Sequence, residues 1–190
     1  MATRVTGVRR APILILALGF AVTLAGCGAP APTTPARTPA ATAVPPTDPS
    51  APISPAVAEV RAELARLLGT RNLVLDDVRI PFRPAESPAL VAAPRAVFQV
   101  LLPADPNSGF ISVYEFRDAD EAIQAAKSQF AYLQSGPGRV QSPRGTAHLI
   151  RQVGSSVVLY SWLPEAARDP STAAIAAVLS TLGTAFDIQT

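Results

Sequence analysis

The chain has 190 residues, about the length of one domain, and carries 16 Lys and Arg against 14 Asp and Glu, for a formal net charge of +2. Its single cysteine excludes an internal disulfide and any zinc site built on cysteines. Three of the 16 basic residues, Arg4, Arg9 and Arg10, precede an apolar run. Removal of residues 1–26 therefore leaves 13 basic against 14 acidic residues, a formal charge of −1, which gives no support to nucleic-acid binding.

The first predicted element is that apolar run. Ala11 to Leu24 is apolar apart from Gly19 and Thr23, with Pro12 near its start. About fourteen residues measure ~21 Å as a helix, short of the roughly twenty that a spanning helix needs. A positive stretch followed by a run of this length has the pattern of a signal peptide. Leu24-Ala25-Gly26-Cys27 comes next. These four residues resemble the lipobox of bacterial lipoproteins. The resemblance implies that the Cys27 thiol receives a diacylglyceryl group. It also implies that a lipoprotein-specific peptidase recognising Leu24, Ala25 and Gly26 cuts before Cys27, and that the new amino terminus is acylated. One acyl chain gives only marginal attachment, whereas two or three hold a protein stably. The implied partner is membrane lipid, and the implied location is the extracytoplasmic face of the cell membrane. Gly28, not Asp, follows the cysteine; the resemblance then allows export to an outer membrane in a cell that has one.

Residues 27–52 read as the lipidated cysteine and a tether of Pro, Ala and Thr, with no large apolar residue beyond Val44. Proline removes backbone donors and fixes φ, so the stretch cannot build a packed core. An extended polyproline conformation gains up to ~3.1 Å per residue, enough to hold a domain several tens of Å from the headgroups. Docking to a proline-recognising partner is the other reading.

Residues 53–190 form the predicted globular domain. Ser54-Pro55 marks a helix start, with Val57, Val60, Leu64, Leu67 and Leu68 as its apolar stripe and Gly69 as its stop. Leu73 to Phe82 suggests one strand, or two short ones broken at Asp76-Asp77, with Pro81 placing it at an edge. Arg83 to Pro94 reads as a loop. Ala96–Leu102 and Phe110–Phe116 form a hairpin with Ile111 and Val113 on one side and Phe110, Tyr114 and Phe116 on the other. Asp118 with Glu121 predicts a capped helix whose stripe is Ala119, Ala122, Ile123, Ala126, Phe130 and Leu133. Gln134 to Gly145 reads as a polar loop. Thr146–Val153 and Ser156–Leu163 make a second hairpin around Gly154-Ser155. Asp169-Pro170 opens a last helix with Ile175, Val178, Leu179 and Leu182 buried.

This order predicts an α+β fold: an antiparallel sheet of four to five strands with helices mainly on one face, in a ferredoxin-like arrangement or as two related hairpin–helix units. The domain also resembles uncharacterised small bacterial lipoproteins through its Phe110–Phe116 and His148–Tyr160 segments. That likeness implies no activity.

No catalytic set emerges. His148 is the only histidine, on the strand face shared with Thr146, Ile150 and Gln152, and a lone sheet histidine is first a structural residue. Asp118, Asp120 and Glu121 suit a helix start better than a metal. Gly136-Pro137-Gly138 beside Arg139 and Arg144 offers an anion loop without a P-loop pattern. Tyr114, His148, Tyr160 and Trp162 are the candidate ligand or partner face, if the sheet leaves it uncovered. The leading expectation is a non-enzymatic, lipid-tethered domain that binds a small ligand or an envelope protein, without cofactor or metal. The alternatives are a small envelope hydrolase and a small-molecule carrier or sensor.

Overall fold

The computed structural model describes residues 53–78 and 82–186. Helix α1 runs Pro55–Gly69. The Ser54 hydroxyl accepts the Val57 N–H at 3.2 Å, satisfying one of the amides that a helix start leaves without a partner. Val57, Val60, Leu64 and Leu68 are buried along one stripe. Strand β1, Leu75–Asp77, includes the two aspartates at which a break was expected. The segment expected as loop 83–94 contains a short helix, α2 (Pro88–Ala92), and then β2 (Arg95–Val100) and β3 (Phe110–Glu115) form the first hairpin.

Helix α3 spans Ala119–Gln134. The Asp118 carboxylate accepts the Glu121 N–H at 2.9 Å, while Glu121 reaches back to the Arg117 N–H at 3.1 Å. That amide and the adjacent Arg117 guanidinium hold the Asp118 carboxyl below the usual carboxylate range. A second short helix, α4 (Gly136–Gln141), replaces the expected polar loop. The second hairpin is β4 (Ala147–Val153) and β5 (Ser156–Trp162), turned by Gly154 at φ 57°. A 3-10 turn at Pro164–Ala166 leads to α5 (Ser171–Leu179) and a two-residue strand, β6 (Thr184–Ala185). Asp169 accepts the N–H groups of Ser171 at 2.9 Å and Ala104 at 3.1 Å, which ties the start of α5 to the β2–β3 connection and keeps its carboxyl below the ordinary range.

The strands form one antiparallel sheet in the order β1-β2-β3-β5-β4-β6. Strands β3 and β4 both run antiparallel to β5, so they are parallel to each other, and α3 crosses between them with β5 inserted. This is the split β-α-β unit of ferredoxin-like folds. Beyond it the resemblance stops. Helix α5 packs on the opposite face from α3, and β6 adds beside β4. The opposed helices also break the suggested relation between the two hairpin–helix halves.

The α+β class and antiparallel sheet agree with expectation, but among the described residues the sheet has six strands and helices cover both faces. Helices α1 and α5 bury Phe98, Ile111, Val113, Leu149, Val158 and Tyr160. Helices α2 and α3 cover Tyr114, Ile150, Val157 and Leu159 on the other side. Each fully buried aliphatic or aromatic side chain contributes about 1.5–3 kcal/mol relative to exposure.

Two polar side chains fix the β1–β2 connection against the α3 face. Gln129, fully buried in the α3 stripe, accepts the Ser87 N–H at 2.6 Å and donates to the Ala85 carbonyl at 2.7 Å. The buried Glu86 carboxylate accepts from Tyr114 at 2.7 Å and Arg95 at 2.8 Å through Oε1, and from Arg83 at 3.1 Å through Oε2. Burial and the Glu86 charge push the Tyr114 phenol well above its ordinary pKa.

Candidate anion-binding site

At one end of β4 the chain makes a cleft of about 430 Å³. The last turn of α3 supplies Gln134, α4 supplies Arg139, the loop after it supplies Ser142 and Arg144, and the approach to β4 supplies Thr146 and His148. Local chemistry sets this geometry. The Ser135 hydroxyl accepts the Gly138 N–H at 3.3 Å and caps α4. Thr146 donates its hydroxyl to the Pro143 carbonyl at 2.6 Å, and Gly145 takes φ +83°, which turns the chain sharply into β4.

Gly138 allows α4 to approach the end of α3. A Cβ there would collide with the Tyr132 carbonyl oxygen and lie 2.9 Å from the Leu133 Cα. Gly138→Ala is expected to cost about 1–3 kcal/mol, the range for overpacking, and to displace Arg139. Gly136→Ala, whose Cβ would meet nothing within 4 Å, should stay within about 0.5 kcal/mol of wild type. Thermal denaturation of the two variants distinguishes close approach from a general intolerance of side chains at this turn.

The electrostatics of the cleft are one-sided. No carboxylate lines it, and Arg139 and Arg144 make no ion pair among the described residues. The Nδ1 of His148 lies 2.8 Å from the Ser161 hydroxyl directly across the β4–β5 ladder, which leaves Nε2 as the free ring nitrogen. Burial lowers the His148 pKa below the ordinary imidazole value and so favours the neutral ring. The Ser142 hydroxyl is buried without a hydrogen-bond partner among the described residues. Two guanidiniums and an unpaired hydroxyl form a donor set for an oxyanion, and the His148 Nε2 joins it in the tautomer or charge state that places a proton there.

The structure therefore brings together Arg139, Arg144 and His148, which the sequence offers as separate candidates. It separates the proposed aromatic face. Tyr114 and His148 lie on the α3 side of the sheet, whereas Tyr160 and Trp162 lie on the α1/α5 side. Tyr160 is fully buried and stacks on Trp162 with ring centroids 4.9 Å apart, and Tyr114 is fully buried against Glu86. These four residues do not form a single ligand face. Leu24, Ala25, Gly26 and Cys27 lie outside the described residues.

Sequence reasoning missed Ser142, and it offered Ser161 beside His148 only as one of four serines, with Ser112, Ser155 and Ser156. Ser161 had a signal: in a hairpin turned at Gly154-Ser155, positions 148 and 161 fall opposite each other. Among the described residues no group of three or more His, Cys, Asp or Glu could hold a metal ion. No protein-family model matches the chain, and no curated protein and no solved structure matches it significantly.

Proposed function

We propose that the protein is a lipid-anchored extracytoplasmic binding domain whose cleft between α4 and β4 takes an anionic group. The anchor rests on the lipobox resemblance of Leu24 to Cys27 and on the Pro/Ala/Thr tether behind it. The observation that supports binding is the meeting of Arg139, Arg144 and His148 around a cleft that no carboxylate lines. Arginine suits this task because its planar donors match an oxyanion and its charge does not titrate.

Sulfate is the probe of choice, since its charge is constant through the pH range in which His148 titrates. Sulfate should raise the melting temperature above that in chloride of equal ionic strength. At a hundredfold excess over Kd the stabilisation is about 2.7 kcal/mol. The double variant Arg139→Ala/Arg144→Ala should lose the rise, and an equal rise in that variant would contradict the assignment. Sulfate affinity should also increase as pH falls. On protonation His148 becomes a third cation beside Arg139 and Arg144, with Ser161 as its hydrogen-bond partner among the described residues. Without sulfate the sign reverses. A depressed histidine pKa means that the unfolded chain binds the proton more tightly, so this group's contribution to stability is full above pH 6.5 and is lost as pH falls through the interval between the two pKa values.

The 2.8 Å contact between His148 and Ser161 is the observation that favours a hydrolase. In that reading Ser161 attacks and His148 accepts its proton. Ser161→Ala would then abolish hydrolysis of a chromogenic ester, whereas the binding reading leaves no hydrolysis to abolish. Ser161 does not line the cleft, which supports its role as a positioning residue for the His148 ring.

A further inference from the structure

We propose that the anion taken by this cleft is the phosphate of an anionic membrane phospholipid, whose headgroup carries no compensating cation, and that the tip of α4 docks on the bilayer with Val140 entering the headgroup layer. The inference rests on the anion-binding reading above and names its ligand. Val140 is 87% exposed, the most exposed of the large hydrophobic residues described. It sits next to Arg139 and four residues before Arg144, both without ion-pair partners among the described residues. An exposed apolar side chain close along the chain to uncompensated cations complements an anionic interface, with guanidiniums on phosphates and an aliphatic group at the acyl boundary.

The charge balance makes this a local attraction. The chain from Cys27 onward has a formal charge of −1, so its net charge does not draw it to an anionic surface. A patch of two arginines and one valine binds weakly when the domain is free. A domain tethered to the same bilayer meets it at an effective concentration in the millimolar range, where weak contacts are populated. Salt should loosen the contact, because exposed charges are screened over about 10 Å at 0.1 M.

The test uses the mature, lipidated chain in vesicles of equal parts phosphatidylglycerol and phosphatidylcholine. Gln141→Cys, exposed and adjacent to Val140, carries a fluorophore, and a nitroxide lipid serves as quencher. Docking should give quenching that salt reverses and that disappears in phosphatidylcholine alone. Arg139→Ala or Arg144→Ala should each lower the docked-to-free ratio about fivefold, the equivalent of ~1 kcal/mol per basic side chain at an anionic surface. Val140→Ser should lower it by a similar factor without changing the melting temperature.

Quenching that survives loss of both arginines, or that is equal in phosphatidylcholine, overturns the proposal, as does docking indifferent to Val140→Ser. A chain that gains stability from sulfate yet shows no quenching takes a free anion: the membrane inference then fails and the anion-binding reading stands. If sulfate also has no effect, both fail. A chain that does not remain with the vesicles refutes the anchor.

Discussion

Replacing Glu86 by leucine should destabilise the domain by about 3–5 kcal/mol, the range for removing one partner from a buried ion pair. The Glu86 side chain is only 4% exposed, and the Arg95 side chain it holds is 10% exposed. Leucine would leave Arg95 as an uncompensated charge and strip the fully buried Tyr114 hydroxyl of its acceptor. Arg83, with its side chain 46% exposed, can turn to water and adds little. Glu86→Gln keeps an acceptor oxygen and should cost markedly less, and Tyr114→Phe should cost about 1–2 kcal/mol for one hydrogen bond. Urea denaturation of the three variants measures the ordering. A loss under about 1 kcal/mol for Glu86→Leu would show that Arg95 finds another partner and that the network does not hold the β1–β2 connection.

The second large effect concerns the anchor. Cys27→Ser should yield a chain that retains residues 1–26 and carries no acyl mass. In the lipoprotein resemblance the thiol is the acceptor of the diacylglyceryl group, and cleavage follows its modification. Each buried methylene of an acyl chain contributes about 0.8 kcal/mol to membrane attachment, so two or three chains amount to stable anchorage. Intact mass of the membrane-extracted protein reads both changes at once. Wild-type protein that still begins at Met1, or that carries a free Cys27 thiol, would remove the basis for the extracytoplasmic placement and for the docking proposed at Val140.

The parts of the fold that repeat were legible in the sequence. The stripes of α1 and α5, the Asp118 cap and the Gly154 hairpin all follow from 3.6- and 2-residue periods and from turn chemistry. Coverage of both sheet faces was also written there. On β5, Val157 and Leu159 alternate with Val158 and Tyr160, so both parities are apolar and each needs a helix above it. Helices α2 and α4 escaped because five or six residues give no periodicity, and only Ser-Pro and Ser-Gly-Pro mark their starts. β6, with two residues, carries no pattern at all.

The site was half legible for a similar reason. Arg139, Arg144 and His148 attract notice by residue type, but their meeting depends on α4 folding back against α3 at Gly138, a tertiary contact. Gln129 did leave a trace. It occupies the i+3 position after Ala126 and the i−4 position before Leu133, a polar residue within an apolar stripe, and such a residue must find buried partners. Tyr114, Tyr160 and Trp162 misled because aromatic residues at alternating positions say which face they occupy and not whether that face is covered.

His148 is the only histidine in the chain, so its imidazole resonances in untagged protein report on the cleft without overlap. The decisive measurement is the NMR titration of that ring with pH, in chloride and then in sulfate at equal ionic strength. Expected are a pKa below 6.5 in chloride, a clear rise in sulfate, and no rise when Arg139 and Arg144 are both alanine. A pKa indifferent to sulfate in the wild-type protein would contradict an anion held between those arginines and His148.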